Sequence, residues 1–214
     1  VDELDVPLVG YRRELTAIKD ALQATIEGER GRLVIVTGEA GIGKSRLGRE
    51  LLSYADGVEE GIRWHTSRAS SLDAGTPYGA LDAAVRGRLG VTEANQDELV
   101  ARLEANLLEF IPEVEKRAQV RAALDVLLGI SAFDMPQQDL FVAWTTWFGA
   151  LGSDGDAVVW VLDDAHLAGD LLLSFVEHLV TKVGARMLVV LLARTGLLTS
   201  HPNLLSTRGS TLIG

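Results

Sequence analysis

The chain of 214 residues contains no cysteine. That absence excludes disulfide scaffolds, thiol nucleophiles, thiolate zinc sites and iron–sulfur clusters, and it fits a reducing compartment. Long apolar runs are missing too. The longest, Ala157–Leu162 and Met187–Ala193, fall well short of the roughly 18 residues a membrane span needs. The amino-terminal VDELDVPLVG is acidic and lacks the apolar centre of a signal peptide. Positive charge is scarce: 20 Lys and Arg face 30 Asp and Glu, a net charge of -10. Such a balance argues against a broad surface for nucleic acid or for an anionic membrane. No G-x-S-x-G elbow supports serine hydrolase chemistry. His65, His166, His178 and His201 show no metal-ligand spacing. No N-K-x-D segment is present to read a guanine, and no internal repeat recurs. The expectation is a soluble, cytoplasmic domain without membrane or direct nucleic-acid contacts through this segment.

What is present is a 47% hydrophobic composition, ample for a packed core, in a chain of one-domain length. Leu15, Ile18, Leu22 and Ile26 recur at helical spacing and predict a helix over 12–27. Leu33–Thr37 (LVIVT) is a β-branched apolar run, a buried strand. It leads into a Gly-rich turn and a predicted helix over 44–55. A second strand is predicted over Gly61–Ser67. Pro77 marks the start of a helix over 77–89. Helices are predicted over 97–108 and 115–128, the latter with Val120, Leu124, Leu127 and Leu128 on one face. Leu140, Trp144, Trp147, Phe148 and Leu151 form an amphipathic stripe over 137–151. Strands are predicted at Ala157–Leu162, Met187–Ala193 and Thr211–Gly214, with a helix over 170–183 between the first two. Strands alternating with amphipathic helices imply an α/β fold, a parallel sheet covered on both faces. Ligands of such sheets bind beyond the carboxyl ends of the strands. Gly38–Ser45, Asp163–Asp164 and Arg194 all sit at such ends.

Gly38-Glu39-Ala40-Gly41-Ile42-Gly43-Lys44-Ser45 fits G-x-x-x-x-G-K-[ST] in full, with a strand before and a helix after. The glycines let the backbone curl without Cβ clashes, so successive N–H groups face one anion. The helix beginning near Lys44 adds its positive end. Lys44 supplies a point charge for the β- and γ-phosphates, and the Ser45 hydroxyl suits Mg²⁺. A buried strand closes on Asp163 and Asp164. Phosphoryl transfer needs one acid for Mg²⁺ or its water, and hydrolysis needs a group to orient the attacking water. Adjacent residues on an extended strand point to opposite sides. That alternation assigns Asp163 to the metal and Asp164 to the water; an Asp-Asp turn that only caps the next helix is the alternative. Many ATPases carry Glu where this chain has the shorter Asp164. Arg194, after MLVVLLA, is placed to neutralise a γ-phosphate, or is an ordinary surface arginine.

These segments carry a resemblance. Leu8-Val9-Gly10-Tyr11-Arg12-Arg13-Glu14-Leu15, TGEAGIGKSRL at 37–47, Thr76-Pro77-Tyr78, LFVAWTTWFGAL at 140–151, VVWVLDDAHLA at 158–168 and VVLLART at 189–195 resemble a STAND-class ATPase of the AAA+-like P-loop group. More narrowly, they resemble the nucleotide-binding domain of large ATP-binding LuxR-type regulators. The resemblance implies a three-layer P-loop NTPase fold with strand order about 5-1-4-3-2, and a single domain over 1–214 with a helical insertion at about 82–135. It implies ATP or ADP with Mg²⁺ as ligand, held by Val9, Gly10, Gly38, Gly41, Ile42, Gly43, Lys44, Ser45 and Arg46, with Val9 and Gly10 against the adenine. Lys44, Asp164 and Arg194 would act on the phosphates, and Ser45 and Asp163 would hold the metal. Tyr11 stands where the family usually has arginine. The family further implies a following winged-helix and helical lid, sensor repeats and often a DNA-binding helix-turn-helix. The expectation is therefore a fragment of a larger polypeptide, with protein partners or self-association through those other domains. Its function on this reading is a slowly hydrolysing nucleotide switch in transcription or signal transduction. The alternatives are a small-molecule kinase, with 82–135 as acceptor lid, and an interaction module with a vestigial loop.

Overall fold

The computed structural model describes residues 12–28, 30–56, 61–71, 76–91 and 95–214. Their elements run α1 (Arg12–Ile26), β1 (Gly31–Thr37), α2 (Lys44–Asp56), β2 (Ile62–Arg68), α3 (Gly79–Leu89), α4 (Gln96–Phe110), α5 (Val114–Leu127), α6 (Gln137–Leu151), β3 (Ala157–Asp163), α7 (Asp170–Lys182), β4 (Met187–Ala193), α8 (Gly196–Ser200), α9 (Asn203–Ser206) and β5 (Ser210–Ile213). All strand pairs are parallel, and the order is β2-β3-β4-β1-β5. Read from the other edge this is 5-1-4-3-2, the order the resemblance implied.

Alternation along the strands builds two cores. Leu33, Ile35, Trp160, Leu162, Val189 and Leu191 face one side and merge with α3–α7. Val34, Val36, Val159, Val161, Val190 and Leu192 face the other, against α1 and α2. Strands buried on both faces read as continuous apolar runs, as β4 does. The result is a three-layer α/β sandwich. The α6 stripe is buried throughout, and its rings interlock: Trp144 meets Phe175 edge-on at 5.4 Å and Phe148 stacks on Trp160 at 5.7 Å.

Three local readings differ. Helix α3 begins at Gly79, with Tyr78 as its cap, rather than at Pro77. Helices α8 and α9 carry too few residues to show a periodicity. The strand read to Ser67 extends to Arg68, which brings a charged residue onto the sheet's upper rim. The helices of the 82–135 stretch, α3–α5, bury Val85, Leu103 and Leu124 in the same core as the sheet.

Candidate functional site

Strand β1 delivers the loop 38–43 to the sheet's carboxyl edge, where the Gly38 N–H donates to the Ala193 carbonyl of β4 at 3.2 Å. Gly41 and Gly43 have φ of 78° and 101°, a region that L side chains rarely adopt. A Cβ on Gly38 would lie 2.2 Å from Ile42 Cδ1, so a side chain there would push the exposed end of Ile42 aside. Helix α2 starts directly after, and the Leu47 N–H donates to the Gly43 carbonyl. Its first amides thus point back along the axis toward the loop. Lys44 is buried beneath the loop, donating from Nζ to the Gly38 carbonyl at 2.8 Å and the Glu39 carbonyl at 2.7 Å. Two of the ammonium's three donors are held by the loop itself, which fixes the charge at its centre.

Gly48, one turn into α2, brings that helix close to the sheet. A Cβ there would sit 3.1 Å from Leu192 and 3.5 Å from Val161. Ser45 and Asp163 line one cavity of about 340 Å³ between α2 and the upper ends of β2 and β3, together with Thr66, Arg68 and Arg49. A hydroxyl and a carboxylate are hard oxygen donors, the set that suits Mg²⁺, which keeps several waters and completes its shell with phosphate. Among the described residues no group of three His, Cys, Asp or Glu forms a metal cluster. Ser45 and Asp163 therefore fit an ion that arrives with phosphate oxygens.

Asp163 ends β3, and its Oδ1 accepts the Asp164 N–H at 2.9 Å. Asp164 leaves the strand in the left-handed region (φ 50°, ψ 36°), alone among described non-glycine residues. The simple alternation inferred for an extended pair therefore does not set its direction; Asp is one of the few residue types that tolerates this conformation. Its carboxylate is gripped by Arg68, the β2 residue in register with Asp163. Arg68 Nε lies 2.7 Å and Nη2 2.5 Å from the same oxygen, Oδ2. The carboxylate raises the arginine's pKa above its ordinary value.

His166 sits on the short 3-10 helix Ala165–Leu167. Its pKa is lowered by partial burial and then by the charges of Arg194 and Lys44, against the pull of Asp164 and Asp163. Its Nδ1 is buried without a hydrogen-bond partner. One imidazole thus lies within electrostatic reach of Lys44, Asp163, Asp164 and Arg194, four sequence-predicted residues from three segments. Arg194 follows β4, and its carbonyl accepts the Leu197 N–H that starts α8. Arg46 lies 3.7 Å from Glu50 one turn along α2. Ile42 is exposed at the loop tip. Val9 and Gly10 lie outside the described residues.

Sequence reasoning missed Arg68 and Gly48. The rule that polar residues at strand carboxyl ends converge would have found Arg68, had β2 been read one residue longer.

A family model described as an AAA ATPase domain matches residues 7–191. The chain belongs to that family. This AAA ATPase domain is also similar over 99% of its length to two solved structures, each at 14% identity. One is Cdc6p from Pyrobaculum aerophilum (TM-score 0.58, 46% of that chain covered). The other is the ORC2 protein of Aeropyrum pernix in ADPNP–ADP complexes (TM-score 0.53, 50% covered). The domain spans about half the length of either, and at this identity the likeness concerns the fold. No curated protein sequence matches it. Among the described residues no helix is long and apolar enough to cross a membrane.

Proposed function

We propose that this AAA ATPase domain is a nucleotide-controlled switch that binds ATP or ADP with Mg²⁺ and hydrolyses ATP slowly. The observation that carries the reading is the convergence of the 38–45 loop, the Asp163–Asp164 pair and Arg194 at one edge of the sheet, with His166 among them. In this reading the loop amides and Lys44 hold the phosphates, while Ser45 and Asp163 hold the ion. Mg²⁺ bound there would neutralise charge on the β- and γ-phosphate oxygens. Arg68 takes up Asp164 Oδ2, so Oδ1 is the oxygen left to accept a proton from an attacking water. A base restrained in this way suits a slow hydrolytic timer better than a fast turnover enzyme. The Aeropyrum pernix ORC2 protein was solved in ADPNP–ADP complexes, which accords with ADP as a ligand here.

A place within a LuxR-type or related STAND regulator rests on the resemblance of the segments at 8–15 and 158–168. The kinase alternative has less support: its proposed acceptor lid is packed into the sheet's own core through Val85, Leu103 and Leu124.

Lys44→Ala, tested by calorimetry with ADP–Mg²⁺, decides the reading of the loop. A hydrogen bond to a charged group contributes about 1.5–3 kcal/mol, so affinity should fall by roughly tenfold to a hundredfold or more. Unchanged affinity in this variant would remove the loop from nucleotide binding.

A further inference from the structure

We infer that the helices beside the sheet carry a second ligand site, a cavity between α3, α5 and α6 for a small uncharged molecule with an aromatic ring and an amide end. The cavity measures about 540 Å³, within the range of small-molecule sites. Tyr78, Val126, Leu127, Leu140 and Trp144 supply its apolar walls. Asp82 and Arg86 are the charged groups among its described lining residues. The 38–45 loop, Asp163, Asp164 and Arg194 do not line it, so the inference is independent of the nucleotide reading.

Contacts that cross each pair of helices hold the cavity open. Arg86 of α3 donates from Nη2 to the Leu128 carbonyl at the end of α5, at 2.8 Å. Trp144 of α6 donates from Nε1 to the Ala123 carbonyl of α5, at 3.0 Å. Tyr78, the cap of α3, meets the Trp144 ring edge-on with centroids 4.8 Å apart. Helices joined by directional bonds cannot slide together to fill the space as purely apolar faces would. The site is thus formed before a ligand arrives, which lowers the ordering cost of binding.

The chemistry narrows the ligand. Arg86 Nε donates to both oxygens of Asp82, at 3.0 and 2.9 Å, so the two charges cancel within the cavity. A charge on the ligand would lose water there without gaining a counter-charge. Each carboxylate oxygen retains capacity for another donor, and Arg86 Nη1 has no acceptor among the described residues. Both side chains are 28% exposed, so an incoming group can reach them. An amide offers a donor and an acceptor side by side, the complement of this pair. An aromatic ring packs well against Tyr78 and Trp144.

The test adds indole-3-carboxamide to the ¹⁵N-labelled chain and follows the indole Nε1–H signals of its four tryptophans. The Trp144→Phe spectrum assigns the signal of the cavity wall. A saturable shift of that signal is expected, with half-saturation below about 1 mM. Indole-3-carboxylate, the same shape with a charge, should bind at least roughly tenfold more weakly. Val126→Phe, which fills the space, should weaken the carboxamide at least roughly tenfold, and Asp82→Ala about fivefold. If Val126→Phe fails to fold, Asp82→Ala carries the test, since its ion pair is partly exposed and its loss costs little stability. No saturable shift up to about 5 mM, equal binding of the carboxylate, or binding unaltered in the variants overturns the site.

Discussion

Arg68 and Asp164 are joined across the carboxyl ends of β2 and β3, with both Nε and Nη2 of the arginine on one carboxylate oxygen. The pair is 96 residues apart in sequence. On the proposed reading it restrains the acid that would orient the attacking water. Arg68→Gln should release Asp164 and raise basal ATP hydrolysis about threefold to tenfold, with ADP affinity nearly unchanged. Asp164→Asn should lower hydrolysis by about a hundredfold or more, the usual range for a lost general base. Phosphate release measured on both variants checks the assignment. A slower Arg68→Gln enzyme would make Arg68 a positioning residue for Asp164 rather than a restraint on it.

Gly43 tests the loop's curvature apart from its charge. At φ 101° its backbone lies where a Cβ is strained, at a cost of about 1–3 kcal/mol. Gly43→Ala should weaken ADP by more than tenfold in calorimetry, while the far-ultraviolet circular dichroism spectrum stays that of the parent. Retained affinity would mean that the loop tolerates another shape.

His65 predicts a pH dependence of stability. It is buried in β2 between Trp147 and Phe148, with ring centroids 5.9 and 5.7 Å away. Burial, and then the charge of Arg88, lower its pKa to about 3. The unfolded chain takes up this proton near pH 6.5 and the folded chain does not. Between those values the unfolded state binds more protons, so its contribution to stability is full above pH 6.5 and falls as pH drops toward 3. The slope from this one group is at most about 1.4 kcal/mol per pH unit. Urea unfolding at pH 7.5, 6 and 5 should show this loss, and His65→Leu should flatten that part of the profile. An unchanged profile in the variant would assign the acid sensitivity to other groups.

A buried polar contact fixes the insertion helices. Trp147 of α6 donates from Nε1 to Asn106 Oδ1 of α4 at 2.9 Å, with both residues buried. Asn106→Ala leaves the indole N–H without a partner, at a cost of about 1–3 kcal/mol. Asn106→Asp, which keeps an acceptor but buries charge, should not restore stability when the melting temperature is measured at neutral pH.

Periodicity and turn chemistry carried most of the local structure. The runs at 137–151 and 187–193 match α6 and β4 residue for residue, because each is long, apolar and uniform in period. Helices α8 and α9 span five and four residues and offered no such period. The 38–45 motif was legible because phosphate binding there uses backbone, and backbone shape is written in glycines. The Arg68–Asp164 bond had no local signature, since it depends on which strand lies beside β3.

The amino-acid order by itself determined the α/β layering, the loop that can cradle phosphate and the acids at the end of β3, since each depends on contacts within one short segment. The fold decided the rest. Register between β2 and β3 put Arg68 on Asp164, a left-handed turn redirected that acid, and the close passage of α7 over Gly31 left no room for a side chain there. These depend on distances between segments far apart in the chain, which are settled only when the two faces of the sheet are buried together.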